Sequence, residues 1–256
     1  MANREHLALL KSGAAIWMEW RQNHPQIEPN LSGVCLQGEN LAGFDLSQAN
    51  LSDALLTEVN LSGTNLSGAC LDGVNLVQAN LVATNLSFTK LRQAELTKAD
   101  MSRANLIGAD LSGVNSRNAI IFAGNLIAVN LVNADLRGSD LGEAKLNRAN
   151  LAFANLVEVN LIEADLSVAN LYEAEMQGSY LYQANLCRAN LRKAHLHHGY
   201  LLRVNFAEAD LSDADLRWTV LSGANFAGTN LHGANFTGAN LQGLDLQDLQ
   251  LAGVVF

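Results

Sequence analysis

Residues 152–171 read AFANLVEVNLIEADLSVANL, and this stretch decides the fold. Leucine returns every fifth residue, at Leu156, Leu161, Leu166 and Leu171, with Ala or Val two residues before each and Asn or Asp immediately before. An α-helix advances about 100° per residue, so a five-residue step smears the leucines around the cylinder. A flat strand, with its period of two, sends successive leucines to opposite faces. The chain must therefore turn a corner every five residues. Four sides close a square coil of about twenty residues, with the leucine and the small residue two before it facing in. The second inward residue must be small because both share a narrow interior.

Worked outward, the register holds from Leu31 to Phe256. Of the 46 positions, 38 are Leu and only Ser116 is polar, so the period is not a chance run. Ala stands two before the centre in 24 cases, and Asn or Asp stands one before it in 32, giving A-(N/D)-L-x-x. Coils stacked at roughly 4.8 Å make a rod of about eleven coils and roughly 50 Å. With this motif the chain resembles the pentapeptide-repeat family over residues 31–256. That resemblance implies an all-β solenoid, a right-handed quadrilateral β-helix, and binding rather than catalytic roles. The acidic, helix-headed layout is similar to that of cyanobacterial members.

Residues 1–30 lie outside the repeat. Leu7, Leu10, Ala14 and Trp17 recur at helical spacing, with Leu9, Ile16 and Trp20 on the adjoining stripe, and Pro25 and Pro29 end the pattern. The division expected is an N-terminal α-helical cap with its linker over 1–30 and a β-helix over 31–256, because an open stack exposes leucine and unpaired backbone. At the carboxyl end Leu244, Leu249 and Val254 replace the usual Ala, and Leu241, Leu246, Leu251 and Phe256 close the last coil with nothing after them. A tail-to-tail homodimer through that coil is expected. At Ser116 a hydroxyl faces a leucine column, which predicts a local distortion in which the strand adjusts or a water enters.

Composition narrows the function. A formal charge of −9 disfavours direct contact with nucleic acid and anionic membranes. The three cysteines, Cys35, Cys70 and Cys187, match no disulfide or zinc pattern. The apolar stretches near the start are broken by Arg4, Glu5, Lys11 and Glu19, so neither a leader nor a membrane span is read, and a cytoplasmic protein is expected.

Because residues twenty apart become neighbours, outward columns can be read directly. One side carries Ile120, Phe122, Ile162, Tyr180, Tyr182, Tyr200, Leu202 and Val220, where the other sides show mainly Asn, Asp, Ser and Gly. Such an apolar stripe on a polar rod suggests docking of an as yet unidentified protein partner. His195 and His197, with Glu175 below and Asp215 above His195, are the candidate metal ligands and the one acid–base cluster, on a flat wall where an exposed polar cluster is the plainer reading. No phosphate-binding loop, nucleophile elbow or HExxH motif occurs, so no cofactor or catalytic residue is assigned. The resemblance also implies a DNA mimic that binds a topoisomerase such as DNA gyrase. Residues 22–89 hold six acids and no Lys or Arg, but from Lys90 to Arg217 there are 13 bases against 15 acids, which breaks an anionic stripe.

Overall fold

The structure, a computed structural model, describes residues 2–244 and 253–256. From Asn30 to Val220 each residue before a repeat centre forms a parallel bridge with the residue twenty later, as Asn155 does with Glu175 and Tyr180 with Tyr200. Twenty residues therefore make one coil, and four such columns make the sides. The three bonds of each repeat are uniform. In the repeat centred on Leu156, its N–H donates to Glu175 O at 2.6 Å, Glu158 N–H to Gln177 O at 2.9 Å, and Val159 N–H to Leu156 O at 3.3 Å. The last bond closes a tight turn at every corner.

Inside, the leucines and alanines form one continuous core: Leu156, Leu161 and Leu166 are 0% exposed and Ala164 and Ala169 1%. Where the small inward residue is polar, its hydroxyl returns to a backbone carbonyl, as Thr64 Oγ1 does to Leu41 O at 2.7 Å and Ser179 Oγ to Met176 O at 2.7 Å. The preference for Asn before the centre has a structural cause. Asn205 Oδ1 accepts from its own turn at Ala207 N–H (3.2 Å), while Asn205 Nδ2 donates to Asn185 Oδ1 in the coil before at 3.0 Å. One side chain thus fixes a corner and ties two coils together.

The third residue of each turn has positive φ, as in a type II turn. Glycine fills this place at Gly238 (φ 71°), but Phe88, Phe153, Val168 and Trp218 adopt it too, at 56–61°. Their side chains point outward onto the rod. Trp218 lies over Gly238, where a Cβ would fall 2.3 Å from the ring, and Phe88 covers Gly108 in the same way at 2.8 Å.

Two expectations are corrected. Ser116 causes no distortion: it is 0% exposed, its N–H donates to Asp135 O at 2.8 Å, and Ala119 N–H donates to Ser116 O at 3.2 Å, as in the repeats on either side of it. The coil-to-coil ladder outweighs one inward side chain, and the buried hydroxyl has no hydrogen-bond partner among the described residues. The amino-terminal segment is not one helix but two, α1 (Arg4–Lys11) and α2 (Ala14–Asn23), separated at Gly13, whose φ of 100° stops the helix. The break turns Ala14 and Ile16 to solvent, while Leu10, Trp17 and Arg21 are buried against the first coil. Arg21 is held by Ile27 O (2.8 Å), Ser47 O (3.0 Å) and an ion pair with Asp45 (3.6 Å). Of the last coil, Leu246, Leu249 and Leu251 lie outside the described residues.

Candidate functional site

The side that carries the apolar column is a pair of rows, one at the bridge positions and one at the second residue of each turn. In the bridge row Tyr180 and Tyr200 are joined by their backbone bridge, and their rings stack at 5.0 Å between centroids and 2° between planes. They are 44% and 47% exposed, so the stack faces solvent rather than the core. In the second row Ile162 and Tyr182 are exposed and Leu202 is half-buried, and Val220 continues the bridge row beyond Tyr200. These six residues occupy four consecutive coils. Ile120 and Phe122 stand apart from them. Asp140 and Asn160 interrupt the bridge row, joined to one another at 2.8 Å, and the Phe122 ring leans over Gly142 instead of meeting another aromatic.

Sequence reasoning missed Trp218, Phe88, Phe153 and Val168, which are 48–67% exposed at corners. Trp218 stands two residues before Val220 and extends the aromatic character of that side around its edge. The signal was available, since a bulky residue at the third turn position has no inward option and must lie on the surface.

The histidine cluster is split. His195 Nδ1 sits 3.0 Å from both oxygens of Glu175. Asp215 follows His195 in the bridge column, but Arg217 takes its carboxylate at 2.8 and 2.6 Å, and His197 Nδ1 approaches only to 3.4 Å. The Arg217 hydrogen bonds hold Asp215 below the usual carboxylate range. Among the described residues no group of three or more His, Cys, Asp or Glu side chains is arranged to hold a metal ion. His195, His197, Glu175 and Asp215 thus fall into two separate pairs, and a guanidinium competes for the Asp215 carboxylate. Beside His195 lies a hollow of about 410 Å³ lined by Phe153, Glu173, Glu175 and Lys193. Lys193 bonds Tyr172 OH (3.4 Å) and Glu173 (3.3 Å), which raises its pKa, and its carbon chain and charge remain in solvent. Such an open wall offers no exclusion of water from a reacting group.

The charge pattern is likewise broken. Arg92 pairs with Asp72, Arg117 and Arg137 share Asp135, and Arg188 pairs with Glu208. Bases paired with acids along the rod thus interrupt any continuous anionic stripe.

Comparison with known proteins agrees with the square coil. Eight matches to the family of pentapeptide repeats span residues 30–63, 40–78, 79–115, 125–161, 149–186, 169–206, 184–223 and 220–256, and the chain belongs to that family. Its fold is the right-handed quadrilateral β-helix. Among solved structures it is similar to HetL, a pentapeptide repeat protein involved in heterocyst differentiation regulation from the cyanobacterium Nostoc sp. strain PCC 7120. The two share 30% identity over 88% of this chain and 94% of that one, with a TM-score of 0.55. Rfr23, from the cyanobacterium Cyanothece 51142, shares 32% identity over 50% of this chain and 97% of its own, at a TM-score of 0.36. QnrB1, a plasmid-mediated fluoroquinolone resistance protein, shares 18% identity over 88% of this chain and 92% of its own, at a TM-score of 0.31, a likeness of fold alone. No curated protein sequence matches the chain. No helix among the described residues is long and apolar enough to cross a membrane.

Proposed function

We propose that the protein is a non-catalytic, cytoplasmic interaction protein that docks a protein partner through the side built by Ile162, Tyr180, Tyr182, Tyr200, Leu202 and Val220. The stacked, solvent-facing pair Tyr180–Tyr200 carries this reading. Two parallel rings on a rigid ladder present a flat apolar surface whose order costs little on binding, since the backbone bridge already fixes it. Elsewhere on the rod exposed apolar residues such as Phe88 and Val168 stand at separate corners, whereas here six lie on one side over four consecutive coils, which supports it as the place where burial of apolar area would be gained. Pull-down from the native lysate tests it, with the triple variant Tyr180→Ser, Tyr182→Ser, Leu202→Ser as control. The expected result is a bound protein lost with the variant while its melting temperature is unchanged; equal capture by both overturns the reading.

Residues 1–30 are proposed as the cap of the first coil, and the carboxyl end as a tail-to-tail contact. Val255 and Phe256 are 50% and 59% exposed there, which supports an apolar contact between two ends. A single square cross-section buries less than the ~1,200 Å² of a standard interface, so the dimer should depend on concentration. Sedimentation at rising concentration, repeated with Phe256→Asp, distinguishes it from a monomer.

A further inference from the structure

Each coil bonds to its neighbour by a fixed rule. The N–H groups of the centre and of the second residue after it donate forward, as Leu31 does to Asn50 O and Gly33 to Ser52 O. The residue before the centre donates back, as Leu55 does to Val34 O. The first coil has no coil before it, so its outward row of backbone groups must find other partners. On two sides the amino-terminal segment supplies them. Asn3 N–H donates to Asn30 O at 2.9 Å, Trp17 Nε1 to Asp45 O at 2.7 Å and Arg21 Nη2 to Ser47 O at 3.0 Å.

The two sides between these are left open. Among the described residues nothing donates to the carbonyls of Cys35, Gln37, Asn40 or Ala42, and nothing accepts from the amides of Cys35 or Asn40. Both Cys35 and Asn40 are exposed, and their counterparts one coil on, Leu55 and Asn60, donate back to Val34 O at 2.8 Å and Glu39 O at 2.9 Å, bonds for which the first coil has no equivalent on these sides. The core beneath is already closed, with Leu36 2% and Leu41 5% exposed, so what this edge offers a partner is solvent-facing backbone rather than bare core. A hollow of about 310 Å³ beside the edge is lined by Leu10, Leu36, Leu41 and Phe44, with Lys11 and Glu39 at its margin.

We propose that this edge, from Cys35 to Ala42, receives an extended segment of a partner protein as an additional half-coil, paired through backbone and seating one apolar side chain in the hollow. The occupant's chemistry follows from the pattern of free groups. Four carbonyls spaced by two, three and two residues require a chain whose amides recur at that spacing, which a corner-turning segment with a five-residue period provides. Proline at any donating position is excluded. This is strand addition to an unprotected sheet edge, and it stands independently of the tyrosine-bearing side, being at the opposite end of the coil sequence.

The test uses the full chain labelled with ¹⁵N and the synthetic peptide Ala-Asn-Leu-Ser-Gly-Ala-Asn-Leu-Ser-Gly. A second peptide of the same sequence, N-methylated at both leucines, serves as control. The expected result is saturable shifts at the Cys35 and Asn40 amides with slowed hydrogen exchange there. N-methylation, which removes two donors, should weaken binding by about tenfold or more. No saturable change at millimolar peptide overturns the proposal, as does equal binding of the methylated peptide. Protection of the same amides without peptide, rising with protein concentration, assigns the edge to a second copy of this chain and also overturns it.

Discussion

The coil that begins near Ser116 and the coil of residues 152–171 have the same backbone but different contents. In the second, Leu156 occupies the inward column that Ser116 occupies two coils earlier, and both are 0% exposed. Leu156 N–H bonds Glu175 O at 2.6 Å and Ser116 N–H bonds Asp135 O at 2.8 Å, so the ladder is indifferent to which side chain it carries. The polar balance differs. Ser116 Oγ and Asn125 Oδ1, nine residues apart in one coil, are both buried without a hydrogen-bond partner, while no such atom occurs among residues 152–171. Register is a property of the repeated backbone bonds, and stability a property of what fills each coil.

Installing the defect in the regular coil should have the largest effect. Leu156→Ser removes a buried isobutyl group and adds an unpaired hydroxyl, and should cost about 3–5 kcal/mol, read as a lower urea midpoint. A loss below about 1 kcal/mol would show that the interior collapses around small residues. The reverse change, Ser116→Leu, restores the column and should add about 1–3 kcal/mol. Hydrogen exchange of amides around Ser116 and Asn125 should slow with it; unchanged exchange would mean this coil is not the weak point of the rod.

A corner of the regular coil supplies a smaller contrast. Val168 is β-branched, 53% exposed and held at φ 61°, where glycine is unstrained. Val168→Gly should stabilise by about 0.5–1 kcal/mol, the relief of left-handed strain exceeding the added chain entropy. A lower melting temperature would show that the exposed valine packs usefully on its neighbours.

The smallest effect concerns carboxylates common to both ends of the rod. Hydrogen bonds from Arg92 and Arg217 hold Asp72 and Asp215 below the ordinary carboxylate range. Their folded pKa is depressed, so their contribution is complete above the unfolded value of about 3.9 and is lost as pH falls through the folded values. The melting temperature should be flat above about pH 5 and decline below it, and Arg217→Gln should shrink that decline. An unaltered acid profile in the variant would locate acid sensitivity elsewhere.

The sequence by itself determined the square coil, because a five-residue period of large and small inward residues has no other regular backbone that keeps both inside. It also located the tyrosine-bearing side, since a coil of twenty residues makes outward columns a matter of counting. Only the tertiary structure decided how the side chains on those columns are oriented. Counting placed Asp215 above His195, but the carboxylate turned to Arg217, because a bidentate guanidinium offers two charge-assisted bonds where an imidazole offers one. The break of the amino-terminal helix at Gly13, and with it the half-covered first coil, likewise depended on packing. Helical spacing marks an apolar stripe, but the fit of Trp17 and Arg21 to particular carbonyls of the first coil fixes where the chain must bend.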